Sequence, residues 1–196
     1  MKLILASSSP FRKNLLSEAG FDFEVMSPEV NEEKLKLQVD DPEQLALGLA
    51  SEKAHAVKSR LSEKEAESAW IIGSDQVASC GDQLFDKPHE TSKAIQTLTF
   101  LSGKTHRLQT GVCLITPNSE LQHCDVTELT MRTLDKSQIE RYIAADTPLN
   151  CSASYRLEKG GIKLFEMIKS DDFTAIQGLP MIWLTTALLN NGFPVI

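Results

Sequence analysis

The chain has 196 residues and a formal net charge of −7, from 20 Lys and Arg against 27 Asp and Glu. With 41% hydrophobic and 24% charged residues it can bury a sizeable core, and this composition excludes disordered, collagen-like and low-complexity proteins. The acidic balance argues against binding to nucleic acid or anionic lipid, because both require a basic surface.

Targeting and disulfide signals are weak. The first apolar run is only Leu3-Ile4-Leu5-Ala6, shorter than the roughly 7 to 15 residues of a signal-peptide core. No stretch approaches the ~18 apolar residues of a membrane span. The cysteines are too far apart for a C-x-x-C metal or redox motif, standing at Cys80, Cys113, Cys124 and Cys151. We therefore expect a cytoplasmic protein with reduced, mostly buried thiols and no membrane association.

Capping residues and hydrophobic periodicity predict alternating strands and helices. In chain order these are a strand over Lys2–Ala6, a helix over Phe11–Ala19, a helix after Asp41, a strand over Trp70–Val77, a helix over Thr91–Leu101, strands over Thr105–Thr116 and Leu121–Met131, a helix after Asp135, a strand over Ile162–Ile168 and a helix over Pro180–Leu189. The two strands around Pro117 are typical of a hairpin. The pattern therefore predicts a mixed α/β fold rather than a purely parallel sheet.

The first strand leads through Ser7-Ser8-Ser9-Pro10 into a helix that carries Arg12. A helix N-terminus has free N–H groups and a partial positive charge, so this turn is a candidate anion site. Serine hydroxyls can donate to phosphate, and arginine can bind it with two parallel hydrogen bonds. The alternative is a simple helix cap with Arg12 in solvent.

Four further side chains are candidates for chemistry or for charge. Asp75 is predicted near the carboxyl end of its strand, where α/β sheets place ligands, although a turn cap is the alternative. Lys53 lies near the apolar face of its helix, which is unusual for a solvated lysine. Lys87 stands in a loop and Glu32 in an acidic run, and both are also typical of solvated surface.

Familiar enzyme motifs are missing. Gly103-Lys104-Thr105 imitates the end of a phosphate-binding P-loop, but Leu98 stands where that loop requires glycine. The sequence has neither G-x-G-x-x-G nor G-x-S-x-G. Nicotinamide chemistry and serine hydrolysis therefore have no support.

Six blocks of sequence carry a family resemblance. They are Leu3-Ile4-Leu5-Ala6-Ser7-Ser8-Ser9-Pro10 with Arg12, Pro28-Glu29-Val30 before Glu32, Ser51-Glu52-Lys53-Ala54, Ile71-Ile72-Gly73-Ser74-Asp75-Gln76-Val77, Lys87-Pro88 and Gly178-Leu179-Pro180. In these blocks and their order the sequence resembles the Maf family of nucleotide pyrophosphatases. The resemblance spans residues 3 to 180, nearly the whole chain.

This resemblance implies a fold, a reaction and a set of site residues. The fold would be one domain over residues 1–196, similar to inosine triphosphatase, with an elongated mixed sheet, flanking helices and two lobes around a central cleft. The reaction would be hydrolysis between the α and β phosphates of a nucleoside triphosphate with a divalent cation, Mg²⁺ or Mn²⁺. Asp75 would accept the proton or hold the metal, and Glu32 would be a further metal contact. The residues implied to line the phosphates are Ser8, Arg12, Lys53 and Lys87.

Three positions resemble the YceF-type branch, which is associated with 7-methyl-GTP, and these are Phe11, Gln76 and Glu158. The carboxylate of Glu158 suits the two hydrogen-bond donors on one edge of guanine. Phe11 could stack on a cationic methylated purine, or it could pack under its helix.

Several points stay open. The sequence departs from the family pattern at Asn31, Asp86, Ala153 and Thr174. A pyrophosphatase for dTTP, UTP or other modified nucleotides is the nearest alternative function. A regulatory nucleotide-binding protein that acts in cell division arrest is an alternative of another class. A homodimer is left open.

Overall fold

A computed structural model of the chain describes residues 1–195, which form seven β-strands and seven α-helices. The strands are β1 (Lys2–Ala6), β2 (Glu24–Val25), β3 (Ala69–Cys80), β4 (Gln83–Phe85), β5 (Thr105–Ile115), β6 (Glu120–Met131) and β7 (Phe165–Lys169). The helices are α1 (Pro10–Glu18), α2 (Glu32–Lys36), α3 (Pro42–Lys58), α4 (Glu63–Ala66), α5 (Thr91–Leu101), α6 (Lys136–Asp146) and α7 (Met181–Asn190). Short 3-10 helices cover Ser152–Ser154, Gly160–Leu164 and Phe173–Gln177.

The strands form one mixed sheet in the order β2-β1-β3-β5-β6-β7, with β4 paired to β3. β1 is parallel to β2 and β3, whereas β4 is antiparallel to β3 and β7 is antiparallel to β6. This arrangement confirms the mixed α/β fold that the sequence predicts.

The chain divides into two compact units. Unit 1 contains Met1–Asp75, Thr110–Asp125 and the chain from Asp172 onward. Unit 2 contains Gln76–Gln109 and Val126–Asp171. The strands β3, β5 and β6 each contribute residues to both units.

In unit 1, alternate residues of β1, β3 and β5 face opposite sides of the sheet. The side chains that pack with α1 and α7 are Leu3, Leu5, Trp70, Ile72, Val112 and Leu114. Those that pack with α3 are Ile4, Ala6, Ile71, Cys113 and Ile115. Helices therefore cover both faces of the sheet in this unit, which explains why β1 and the first half of β3 are continuous apolar runs.

Gly73 lets α3 lie directly against β3. A Cβ atom at this position would be 2.1 Å from the carbonyl oxygen of Ala50 and 2.8 Å from the amide nitrogen of Ala54. Only a residue without a side chain permits this approach. The turn of α3 that carries Lys53 is thereby held beside the part of β3 that carries Asp75.

A buried aromatic cluster fills part of unit 2. The ring of His106, on β5, lies 5.5 Å from that of Tyr155 and 5.9 Å from that of Phe165, between centroids. His106 Nε2 and the Tyr155 hydroxyl form a hydrogen bond of 2.8 Å. This cluster packs one end of the segment that leads from Tyr155 to Glu158.

Most predicted elements are confirmed to within about one residue, and two differ more. β3 continues to Cys80, so Asp75 lies in its interior and not near its end, because the residues after Asp75 pair with β4. Gly160–Leu164 is a 3-10 helix rather than the start of a strand, since the amide that follows it, on Phe165, bonds to the carbonyl of Ile162 three residues earlier.

The cysteines and the helices of residues 1–195 relate to two predictions, the reduced state of the thiols and the lack of a membrane span. All four cysteines are free, as expected, but Cys113 alone is buried and the other three are half-buried. No helix in this range is both long and apolar enough to cross a membrane.

Candidate active site

The turn between β1 and α1 presents its serines in different ways. Ser9 occupies the N-cap position of α1, but its side chain makes no capping hydrogen bond. Instead, the hydroxyl of Ser7 accepts a hydrogen bond of 3.1 Å from the Ser9 amide. Ser7 is buried, Ser8 is exposed, and Phe11 in the first turn of α1 is half-buried. The turn therefore leaves Ser8 at the surface, while Ser7 faces the interior.

Arg12 is a buried residue and not a solvated one. It is 9% exposed. Its Nε donates to the carbonyl of Gly178 at 2.8 Å, and its Nη1 donates to the Ser7 hydroxyl at 3.2 Å. Burial lowers the pKa of Arg12, and the negative charges of Asp75 and Glu32 act in the opposite direction. The guanidinium is thus fixed in place near two carboxylates.

Lys53 joins those two carboxylates. Its side chain is 8% exposed, and its ammonium group donates to Asp75 Oδ1 and lies 2.7 Å from Glu32 Oε1. The side chain of Asp75 is 14% exposed and that of Glu32 is 41% exposed. Glu32 therefore lies with Lys53 and Asp75. These two ion pairs explain how a lysine can lie near the apolar face of its helix.

Four charged side chains lie together within unit 1: Arg12, Glu32, Lys53 and Asp75. We call this group the charge cluster. It combines two cations that can meet phosphate oxygens with two carboxylates that can accept a proton or ligate a cation. Both cations are held by protein contacts before any anion arrives, and such preorganisation is what favours stabilisation of developing negative charge.

The other predicted residues lie in unit 2. Gln76 follows Asp75 on β3 and is half-buried, while Lys87 and Glu158 are exposed. Burial raises the pKa of the Cys151 thiol to about 11; the positive charges of Arg156 and Lys87 oppose this effect, and the negative charge of Glu158 adds to it. Lys87 and Glu158 are therefore close to the same thiol.

Three residues that hold the charge cluster were not predicted to have this role, namely Ser7, Ser74 and Gly178. Ser74 is fully buried, and its hydroxyl donates to the Gly178 carbonyl at 2.7 Å, so this oxygen accepts from both Ser74 and Arg12. All three lie inside the family-like blocks. Residue type alone does not indicate which serine of a block faces the interior.

Two departures from the family pattern have a structural role. Ala153 is buried with a φ of 55°, in the left-handed region that glycine adopts more easily. Thr174 accepts a hydrogen bond of 2.9 Å from the Met181 amide through its hydroxyl, and this contact holds the start of α7.

Comparison with known proteins identifies the family. A model of the Maf-like protein family matches residues 2–191. The chain is 44% identical to a 7-methyl-GTP pyrophosphatase of Xanthomonas oryzae over 98% of this chain and 97% of that protein. It is 40% identical to proteins of the same name from Bdellovibrio bacteriovorus, over 96% of each chain, and Alcanivorax borkumensis, over 97% of this chain and 94% of that protein. The chain belongs to the Maf family.

Proposed function

We propose that this protein hydrolyses 7-methyl-GTP to 7-methyl-GMP and pyrophosphate. Relatives of that name match it over nearly the full length of both chains. The observation that carries the proposal is the contact of the Lys53 ammonium with both Asp75 and Glu32, beside the buried Arg12. A triphosphate brings about four negative charges, and an acidic protein must meet them with a few fixed cations of this kind.

The reaction adds one water across the bond between the α and β phosphates. The water oxygen forms a bond to the phosphorus on one side of the bridging oxygen, and the bond between that phosphorus and the bridging oxygen breaks. The bridging oxygen leaves with the phosphoryl group on the other side, and the carboxylate of Asp75 accepts the proton of the water. Lys53 and Arg12 lie where they can offset the phosphate charge that repels the attacking oxygen. The Nε hydrogen and one Nη1 hydrogen of Arg12 already donate to protein acceptors, so an incoming phosphate would be met by Nη2 and the second hydrogen of Nη1.

The carboxylates of Glu32 and Asp75 also fit a divalent cation. Both contact the same ammonium nitrogen, so they lie within reach of a single positive centre. Mg²⁺ and Mn²⁺ take oxygen ligands, commonly one or two carboxylates together with substrate phosphates. No group of three or more His, Cys, Asp or Glu side chains within residues 1–195 could hold a metal, so phosphate and water would complete the shell. When bound, the ion would supply positive charge that stabilises the displaced oxygens.

We infer that Glu158, Phe11 and Gln76 select the base. A carboxylate can accept from both the N1–H and the amino group of guanine, whereas the carbonyls of a pyrimidine dione would face it unfavourably. The ring of Phe11 can stack on a purine made cationic by methylation. In its own unit, Glu158 is exposed and therefore accessible to a ligand.

The test is pyrophosphate release from 7-methyl-GTP, GTP, dTTP, UTP and CTP, each with Mg²⁺ and with Mn²⁺. We expect 7-methyl-GTP to give the highest rate. Asp75→Asn should lower that rate by about a hundredfold or more, because the proton acceptor is lost. Glu52→Gln is the matched control, since Glu52 is an exposed carboxylate beside Lys53, and its rate should be unchanged.

Each other outcome has a distinct meaning. Faster release from dTTP and UTP would contradict the proposed substrate and leave the pyrophosphatase reaction standing. Tight triphosphate binding with no release in either metal would contradict the reaction itself and favour a regulatory nucleotide-binding protein. Near-normal turnover by Asp75→Asn, with an unchanged melting temperature, would exclude Asp75 as the proton acceptor.

A further inference from the structure

The carbonyl oxygen of Gly178 is an acceptor shared by two buried donors. Arg12 Nε donates to it at 2.8 Å and Ser74 Oγ donates to it at 2.7 Å. Ser74 is 0% exposed and Arg12 is 9% exposed. Both lone pairs of this oxygen therefore accept hydrogen bonds, one from Arg12 of α1 and one from Ser74 of β3.

The conformation of Gly178 makes this arrangement possible. Its φ is 107°, which L-residues with a side chain rarely adopt. A Cβ atom there would lie 3.0 Å from Arg12 Nε and 3.4 Å from Arg12 Cγ. Because the position has no side chain, the guanidinium can lie against the backbone and take its acceptor from it.

Ser74 cannot meet a ligand itself, since it is fully buried. It nevertheless stands between two members of the charge cluster, because it precedes Asp75 in the chain and shares an acceptor with Arg12. Loss of the Ser74 hydroxyl would leave the Gly178 carbonyl with the hydrogen bond from Arg12 alone. The peptide group that carries this carbonyl could then rotate.

We propose that Ser74 is a positioning residue that, through the Gly178 carbonyl, fixes the Arg12 guanidinium for phosphate binding. The inference rests on the proposed function in assigning phosphate to Arg12, and it adds the residue that orients Arg12. It concerns phosphate affinity, because Ser74 shares its acceptor with Arg12.

The experiment measures the dissociation constant of inorganic tripolyphosphate by titration calorimetry for the wild type, Ser74→Ala, Arg12→Lys and the double variant. Ser74→Ala should weaken binding about fivefold to tenfold in the wild-type background, the usual effect of one lost hydrogen bond to a charged network. In the Arg12→Lys background the same change should have less than about a twofold effect, because lysine lacks the Nε that shares the acceptor.

Thr116→Val is the matched control. Thr116 is 5% exposed, and its hydroxyl donates to the carbonyl of Ser119 at 3.1 Å, a contact in which neither Gly178 nor Arg12 takes part. This variant should lower the melting temperature much as Ser74→Ala does, yet leave tripolyphosphate affinity within about twofold.

The outcomes separate this inference from the proposed function. Equal effects of Ser74→Ala in both backgrounds, or an equal loss of affinity in Thr116→Val, would show a merely structural role and overturn the inference. Tripolyphosphate that fails to bind the wild type would overturn it as well. Coupled binding without pyrophosphate release from any nucleotide would support the positioning role of Ser74 while contradicting the proposed reaction.

Discussion

The ring of His106 is 1% exposed and makes a hydrogen bond to the hydroxyl of Tyr155. Burial lowers the pKa of His106 from 6.5 to about 4, because the charged imidazolium is poorly solvated there. The unfolded chain therefore binds a proton near pH 6.5, and the folded chain does so only near pH 4. The stability contributed by the neutral ring is complete above pH 6.5 and is lost as the pH falls toward 4.

Replacing His106 with glutamine should remove this part of the pH dependence. Between about pH 7 and about pH 4 the wild type should lose about 3 kcal/mol of unfolding free energy that His106→Gln does not lose. Glutamine can still bond to Tyr155 but does not titrate. Urea denaturation followed by circular dichroism across this range checks the difference between the two slopes. Parallel slopes would mean that His106 titrates alike in the folded and unfolded chains.

At the scale of elements, replacement of two glycines of unit 1 with alanine should change the stability by very different amounts. Gly73→Ala puts a Cβ 2.1 Å from the Ala50 carbonyl, so β3 and α3 must separate. We expect a loss of about 3 kcal/mol of unfolding free energy. Gly48→Ala is the control, because its Cβ meets only the flexible end of Leu35 at 2.9 Å and alanine favours the helix. Its stability should stay within about 1 kcal/mol of the wild type.

Urea unfolding monitored by tryptophan fluorescence, to which Trp70 of β3 and Trp183 of α7 both contribute, measures both variants. Separation of β3 from α3 should also part Asp75 from Lys53, so pyrophosphate release by Gly73→Ala should fall more than its stability alone explains. Equal stability of Gly73→Ala and Gly48→Ala would contradict the close approach of α3 to the strand.

Elements with local signals were the predictable ones. Asp41 accepts a hydrogen bond of 2.8 Å from the Gln44 amide at the start of α3, and Asp135 forms a capping box at the start of α6, as the sequence patterns indicate. The extension of β3 to Cys80 depends on pairing with β4 across the turn at Gly81-Asp82, and the 3-10 helix at Gly160–Leu164 depends on backbone hydrogen bonds of that segment. Both sets of bonds join backbone groups a few residues apart, and they leave no hydrophobic period in the sequence.

On the scale of the whole molecule, the residues proposed for phosphate chemistry and for base choice are unevenly distributed. The charge cluster belongs to unit 1, while Gln76, Lys87 and Glu158 belong to unit 2. Arg12, Lys53 and Asp75 were predictable because they lie in family-like blocks. The contacts that hold Arg12 in place were not predictable, since Ser74 and Arg12 bond to Gly178 across separations of 104 and 166 residues.

Phosphate and base are assigned to different residues, which predicts that base preference can change without loss of phosphate binding. The double variant Phe11→Arg, Glu158→Gln should lower the ratio of 7-methyl-GTP to UTP turnover about tenfold, because the acceptor pair for guanine is removed. Its tripolyphosphate affinity should not fall below that of the wild type, because the proposed phosphate-binding residues are kept and the new arginine beside Arg12 adds positive charge. Glu166→Gln, an exposed carboxylate on β7, is the control and should leave the ratio unchanged. An unaltered ranking of nucleotides in the double variant would mean that these positions do not choose the base.

The bond from Arg12 to Gly178 also has a consequence for synthesis of the protein. Its two residues are 166 positions apart, so Arg12 leaves the ribosome long before its acceptor is translated. The nascent chain cannot complete this hydrogen bond until nearly all of it has emerged. Incomplete translation products that end before Gly178 would therefore lack the backbone acceptor that fixes the Arg12 guanidinium.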